Sequence, residues 1–136
     1  LIAAAVYPPH AQAQDNLRID SIAGATSIRI AVANFKPLAV DPRTTGFKDT
    51  FDATLYADLA NAGIFDIVSK SLLPPATPGT PAEMQIQTYA AAPASAAMVA
   101  FGSLGITLGK LTVNGFLFDA NNRQYPQVLA KQYSED

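Results

Sequence analysis

Three groups of residues in this sequence have the types and the spacing for chemistry. Asp49 and Asp52 are three positions apart, which puts both carboxylates on one face of a helix, as an acid/base pair or a cation clamp requires. Ser69, Ser71 and Ser103 are potential nucleophiles, and Gly105-Ile106-Thr107-Leu108-Gly109-Lys110-Leu111 approaches the layout of a phosphate-binding loop. Each group lacks a part. There is no cysteine, and the single histidine, His10, falls in a leader-like stretch. Serine is thus without its usual base, and disulfides and thiolate zinc sites are excluded. The glycine loop has three residues between its glycines where a phosphate loop has four. It also has Leu111 where a magnesium-binding hydroxyl belongs, and a strand where a helix should follow, so it reads as a turn. Asp49 and Asp52 read as the solvated first turn of a helix, where the macrodipole favours carboxylates. Asp119 reads as the strand-end residue that opens a turn with Asn121 and Asn122. Phe116 and Phe118 read as core packing rather than a base-stacking platform. No catalytic, cofactor-binding or metal-ligating residue is assigned, and binding without turnover is expected.

Charge narrows the partners. Nine Lys and Arg against 11 Asp and Glu leave a net −2, with no basic run, which argues against nucleic acid or an anionic membrane surface. A chain of 136 residues, 49% apolar, suits one domain. No stretch reaches the ~18–20 apolar residues of a membrane-spanning helix, so direct insertion is not expected. The opening Leu1-Ile2-Ala3-Ala4-Ala5-Val6, followed by Ala11-Gln12-Ala13, matches the back half of a secretory signal peptide cleaved before Gln14. Residues 1–13 are therefore read as a leader remnant, and in a bacterium the mature protein is expected in the periplasm.

Elements that could position binding groups follow. Residues 14–27 form an extended segment in which Leu17-Arg18-Ile19-Asp20-Ser21-Ile22 has period-two character. Such a strand can add to a partner's sheet edge, the main chain supplying affinity and Leu17, Ile19 and Ser21 specificity. Ile28 to Ala33 is a β-branched strand closed by Phe35 and Pro37. Phe47, Phe51, Leu55, Leu59 and Ala62 make one face of an amphipathic helix, with Thr44 or Thr45 as its cap and Gly63 as its left-handed stop. Ile64 to Val68 is the next strand, completing a β-α-β crossover. Pro74, Pro75, Pro78 and Gly79 mark a loop, and Thr80-Pro81-Ala82-Glu83 is a capping box that should start a short helix carrying Met84, Ile86 and Tyr89. Strands are expected over residues 97–104, 111–119 and 128–133. Local rules put a hairpin turn at Asn114-Gly115, while a rival reading puts it between Gly105 and Gly109 and leaves Gly115 inside a strand.

Several of these runs, in this order and spacing, resemble the TolB N-terminal domain family over roughly residues 17–134. They are Phe35, the helix end Leu55-Tyr56-Ala57-Asp58-Leu59-Ala60-Asn61-Ala62-Gly63-Ile64-Phe65, and Val68-Ser69-Lys70-Ser71. Ala97-Met98-Val99-Ala100-Phe101-Gly102-Ser103-Leu104, Leu117-Phe118-Asp119 and Val128-Leu129-Ala130-Lys131-Gln132-Tyr133 complete the set. The resemblance implies an α/β (α+β) fold over residues 28–136, with a mixed β-sheet and two or so helices packed mainly on one face. It also favours the turn between Gly105 and Gly109. The implied function is a non-catalytic periplasmic interaction module of the Tol-Pal envelope-integrity, cell-division and protein-import system. Residues 14–22 correspond to the segment through which the family meets a TolA-like inner-membrane partner, so Leu17, Arg18, Ile19, Asp20, Ser21 and Ile22 are the candidate partner-binding residues. A Pal-like partner would be held by the family's β-propeller, and the domain is expected to be truncated before its C-terminal helix and that propeller. The alternative is an oligomerising scaffold domain of an envelope assembly or secretion complex.

Overall fold

The computed structural model describes residues 27–38 and 41–135. The leader remnant and the candidate strand Leu17 to Ile22 lie outside the described residues. In chain order the elements are β1 (Ile28–Val32), β2 (Lys36–Pro37), α1 (Pro42–Asn61), β3 (Phe65–Ile67), α2 (Ile86–Ala90), β4 (Met98–Thr107), β5 (Lys110–Asp119) and β6 (Gln127–Glu135). Short 3-10 turns at Lys70–Leu72 and Pro81–Glu83 punctuate the connection from β3 to α2.

The six strands form one mixed sheet in the order β3-β1-β4-β5-β6, with β2 pairing β4. β3, β1 and β4 run parallel, whereas β4, β5 and β6 form an antiparallel meander. Helical cover is mainly on one face, as expected: the 20-residue α1 lies there. It packs Phe51 and Leu55 against Phe35, Leu104 and Val113. The opposite face is closed by the irregular segment after β3 and the five-residue α2, whose Tyr89 joins Ala31, Val68, Val99 and Phe101. Side chains alternate across a strand, so Phe101 and Leu104 serve different cores. Phe101 stacks on Phe116 with ring centroids 5.3 Å apart and meets Phe118 edge-on at 5.0 Å. That places both phenylalanines in the core, as the sequence suggested.

The β4–β5 hairpin turns at Leu108-Gly109, with Thr107 opposite Lys110. Both loop residues have positive φ, 54° and 77°, as a two-residue primed turn demands. The Asn114-Gly115 pair sits inside β5 instead, with Gly115 directly opposite Gly102. The ring of Phe35 lies over these two glycines. A Cβ on Gly102 would collide with the Asn114 carbonyl oxygen and come within 2.6 Å of Phe35 Cε2, whereas one on Gly115 would meet that ring at an ordinary 3.7 Å.

Three local expectations give way to other contacts. The cap of α1 is Asp41, whose Oδ1 accepts the Arg43 N–H at 2.9 Å, with Pro42 at the first helical position, where no donor is missed. Thr44 is wholly buried, and its hydroxyl accepts the Ile106 N–H at 3.3 Å, tying helix to strand. Glu83 does not cap a helix: its carboxylate accepts from Gly79 N–H at 2.9 Å and from Lys36 Nζ at 2.6 Å, so the capping box folds into a 3-10 turn and α2 begins only at Ile86. Pro37, expected to close the first strand, instead forms part of β2, which pairs parallel with Ser103 and Leu104 and is extended by a Leu38 N–H to Leu104 carbonyl bond of 2.9 Å. Gly63, by contrast, follows the helix at φ 79°, the left-handed stop the sequence called for.

Candidate functional site

α1 covers only part of its face of the sheet. Its apolar row Phe51, Leu55 and Leu59 is half-buried, and Phe47, one turn earlier, is exposed. The only fully buried residues of α1 among those described are the polar Thr44 and Asp52. The apolar row instead forms one wall of an open groove of about 440 Å³. Val113 and Leu117 of β5 make its floor, and Leu129, Lys131 and Tyr133 of β6 its outer rim. All nine residues of β6 are exposed, so this strand is covered on neither face. Val128, Leu129 and Tyr133 keep 56%, 46% and 62% of their surface in solvent. Contiguous exposed apolar surface of this kind marks interaction sites.

β6 is also a sheet edge. It has β5 on one side and no described strand on the other. An unpaired edge presents a row of free N–H and C=O groups to any extended chain.

The candidates for chemistry do not converge. Asp49 is exposed, while Asp52 is buried rather than solvated. Asp52 accepts the Phe35 N–H at 2.9 Å and the Lys48 ammonium at 2.8 Å, so it anchors the loop after β1 onto α1. The first-turn assignment for these two aspartates fails because α1 starts earlier, at Pro42. Nearby, Lys70 donates to Asn34 Oδ1 and lies 5.5 Å from the Tyr56 ring centre, and burial pulls its pKa down. Among the described residues the hydroxyls of Ser69 and Ser71 bond each other, at 3.0 Å, and Ser103 is buried in β4. Gly105 lies within β4 and Lys110 begins β5, so the phosphate-loop pattern is a hairpin. Asp119 Oδ1 accepts the Asn121 N–H at 2.9 Å, which is the turn role expected of it. Glu83 has its carboxyl held below the usual range, first by the Lys36 hydrogen bond and then by the Gly79 N–H. Among the described residues no three acidic or histidine side chains gather as metal ligands, and no helix is long and apolar enough to cross a membrane. The six candidate partner-binding residues, Leu17 to Ile22, lie outside the described residues.

A mixed sheet with one long helix over part of one face, and no reactive groups assembled among the described residues, defines the class: an α/β domain. Its fold is similar to that of the LpoB C-terminal domain from Salmonella enterica, with a TM-score of 0.57 at 17% identity over 86% of this chain and 89% of that one. The LpoB C-terminal domain from Escherichia coli superposes with a TM-score of 0.54 at 17% identity, covering 88% and 93%. Lipoprotein GNA1162 from Neisseria meningitidis gives 0.52 at 12% identity, covering 79% and 80%. The chain belongs to the TolB amino-terminal domain family, which it matches over residues 16–125. That membership makes it an envelope-related protein-interaction domain. No curated protein sequence matches the chain.

Proposed function

We propose that this chain is a non-catalytic periplasmic interaction module of the Tol-Pal system, acting in envelope integrity, cell division and protein import. The observation that carries the reading is the open apolar groove with its exposed rim on β6. Membership of the TolB amino-terminal domain family supports this reading. In this reading the N-terminal segment, through Leu17, Arg18, Ile19, Asp20, Ser21 and Ile22, pairs with the sheet of a TolA-like inner-membrane partner. A Pal-like partner would be held by a β-propeller, as the family resemblance implies. Strand addition of this kind draws affinity from the main chain and selectivity from alternate side chains.

The test is calorimetric titration of the full chain with the soluble periplasmic domain of a TolA-like protein. Saturable binding is expected, and the double substitution Leu17→Asp, Ile19→Asp should abolish it while leaving the melting temperature unchanged. Absence of binding by the unaltered chain would overturn the partner assignment. A metal-dependent hydrolase activity that disappears in Asp49→Asn would overturn the non-catalytic reading.

A further inference from the structure

The two edges of the sheet are built differently. β3 is three residues long, and its Asp66 is tied at 3.0 Å to Arg29 of the neighbouring strand. Short edge strands of this sort resist pairing. β6 runs for nine residues, Gln127 to Glu135, with no proline or glycine among them. Its only irregularity is a register shift opposite Leu117 and Phe118, at its beginning, so the stretch from Leu129 onward pairs regularly with β5. Among the described residues no strand lies along the outer edge of that stretch.

We infer that two copies of this chain join through this edge, β6 against β6, as an antiparallel pair about a two-fold axis at Tyr133. A two-fold axis relating two antiparallel strands must stand perpendicular to the sheet, so paired residues share a face and the axis falls on a residue. On the groove face the strand shows Leu129, Lys131, Tyr133 and Glu135 in succession. Lys131 and Glu135 are exposed, and neither enters an ion pair among the described residues. An axis at Lys131 would set that lysine against its own copy, and one at Gln132 would leave Glu135 opposite Leu129. The axis at Tyr133 places Lys131 opposite Glu135 twice and Tyr133 opposite Tyr133. On the other face it sets Gln132 against Ser134. Opposite charges and aromatic pairs are the favourable cross-strand neighbours. The two grooves then lie on one side of a continuous sheet, their rims side by side. The ladder is short, so the dimer belongs to the small, transient class of interface. This inference is independent of the Tol-Pal assignment: it requires only the geometry of β6.

Sedimentation equilibrium of the full chain from micromolar to millimolar concentration tests it. A reversible monomer–dimer equilibrium is expected, weakened by added salt. Lys131→Glu and Glu135→Lys should each weaken dimerisation by about tenfold or more, because two attractive pairs become repulsive in each. The double variant K131E/E135K should recover the original dissociation constant. Both positions are exposed, and circular dichroism melts report whether folding is unchanged. A chain that stays monomeric to millimolar concentration overturns the inference, as does a multimer larger than a dimer. So does a dimer indifferent to the single substitutions, or one that the double variant fails to restore.

Discussion

β4 and β6 are the same kind of element with opposite fates. Each is a long strand with apolar side chains on both faces, and each is paired along its length with β5. β4 buries Val99, Phe101, Gly102, Ser103, Leu104 and Gly105, whereas β6 buries nothing. The difference lies in what surrounds them. β4 has β1 and β2 on its other side, α1 over one face and the segment leading to α2 over the other. Among the described residues β6 has one neighbour and no cover. Burial of a strand is thus a property of the layers stacked upon it, and the same residue types become core in one place and a binding rim in another.

Substitutions sharpen this contrast, beginning with the largest effect. Phe101→Ala should cost about 3–5 kcal/mol, because the ring is fully buried between Phe116 and Phe118. Leu129→Ala, on the uncovered strand, should stay within about 0.5 kcal/mol in urea unfolding of the same protein. Equal costs would break the comparison. The paired glycines give a second contrast: Gly102→Ala should destabilise by about 1–3 kcal/mol through collision with Asn114 and Phe35, whereas Gly115→Ala should be nearly silent. Asp52→Ala should cost about 1–3 kcal/mol, since it leaves the Phe35 N–H without its buried acceptor. Crystallography of that variant should show the Phe35 loop displaced from α1.

Smaller effects belong to the exposed turn and loop. Leu108→Asn should raise stability by up to about 1 kcal/mol, because asparagine tolerates the positive φ of this position better than leucine. The melting temperature reports it. The weakest is a pH effect at Glu83. Its pKa is lowered in the folded state, so its contribution is present above the ordinary carboxylate range and lost as pH falls through that range toward the lowered value. The melting-temperature gap between the unaltered chain and Glu83→Gln should therefore close below the carboxylate range. A gap that widens on acidification would contradict the Lys36 and Gly79 bonds.

Much of the architecture was legible because it rests on local rules. The stop at Gly63, the strand runs around β1, β4 and β5, and the core role of Phe116 and Phe118 follow from backbone freedom and apolar pattern. The caps of both helices were misread for a common reason. Thr44, Thr45 and Thr80 satisfy the capping pattern as well as Asp41 does, and only packing decides which side chain is free to cap. Thr44 is committed to Ile106, 62 residues away, and Glu83 to Lys36, 47 residues away, separations no local window contains. Asp52 was read as solvated for the same reason: its partner Phe35 N–H lies 17 residues away. The groove was invisible beforehand, since an apolar helix stripe looks alike whether it faces a core or an opening.

By itself the sequence determined the class: the alternation of strand and helix patterns marks an α/β domain, and the absent cysteine removes disulfides and thiolate chemistry. Those are composition and short-range periodicity, which each residue carries wherever it is placed. The tertiary structure alone decided which polar groups are buried as struts, which glycine must be a glycine, and that β6 stands uncovered while β4 is sealed. These depend on which distant segments stack on a given strand, and that is settled only when the whole sheet closes around its cores.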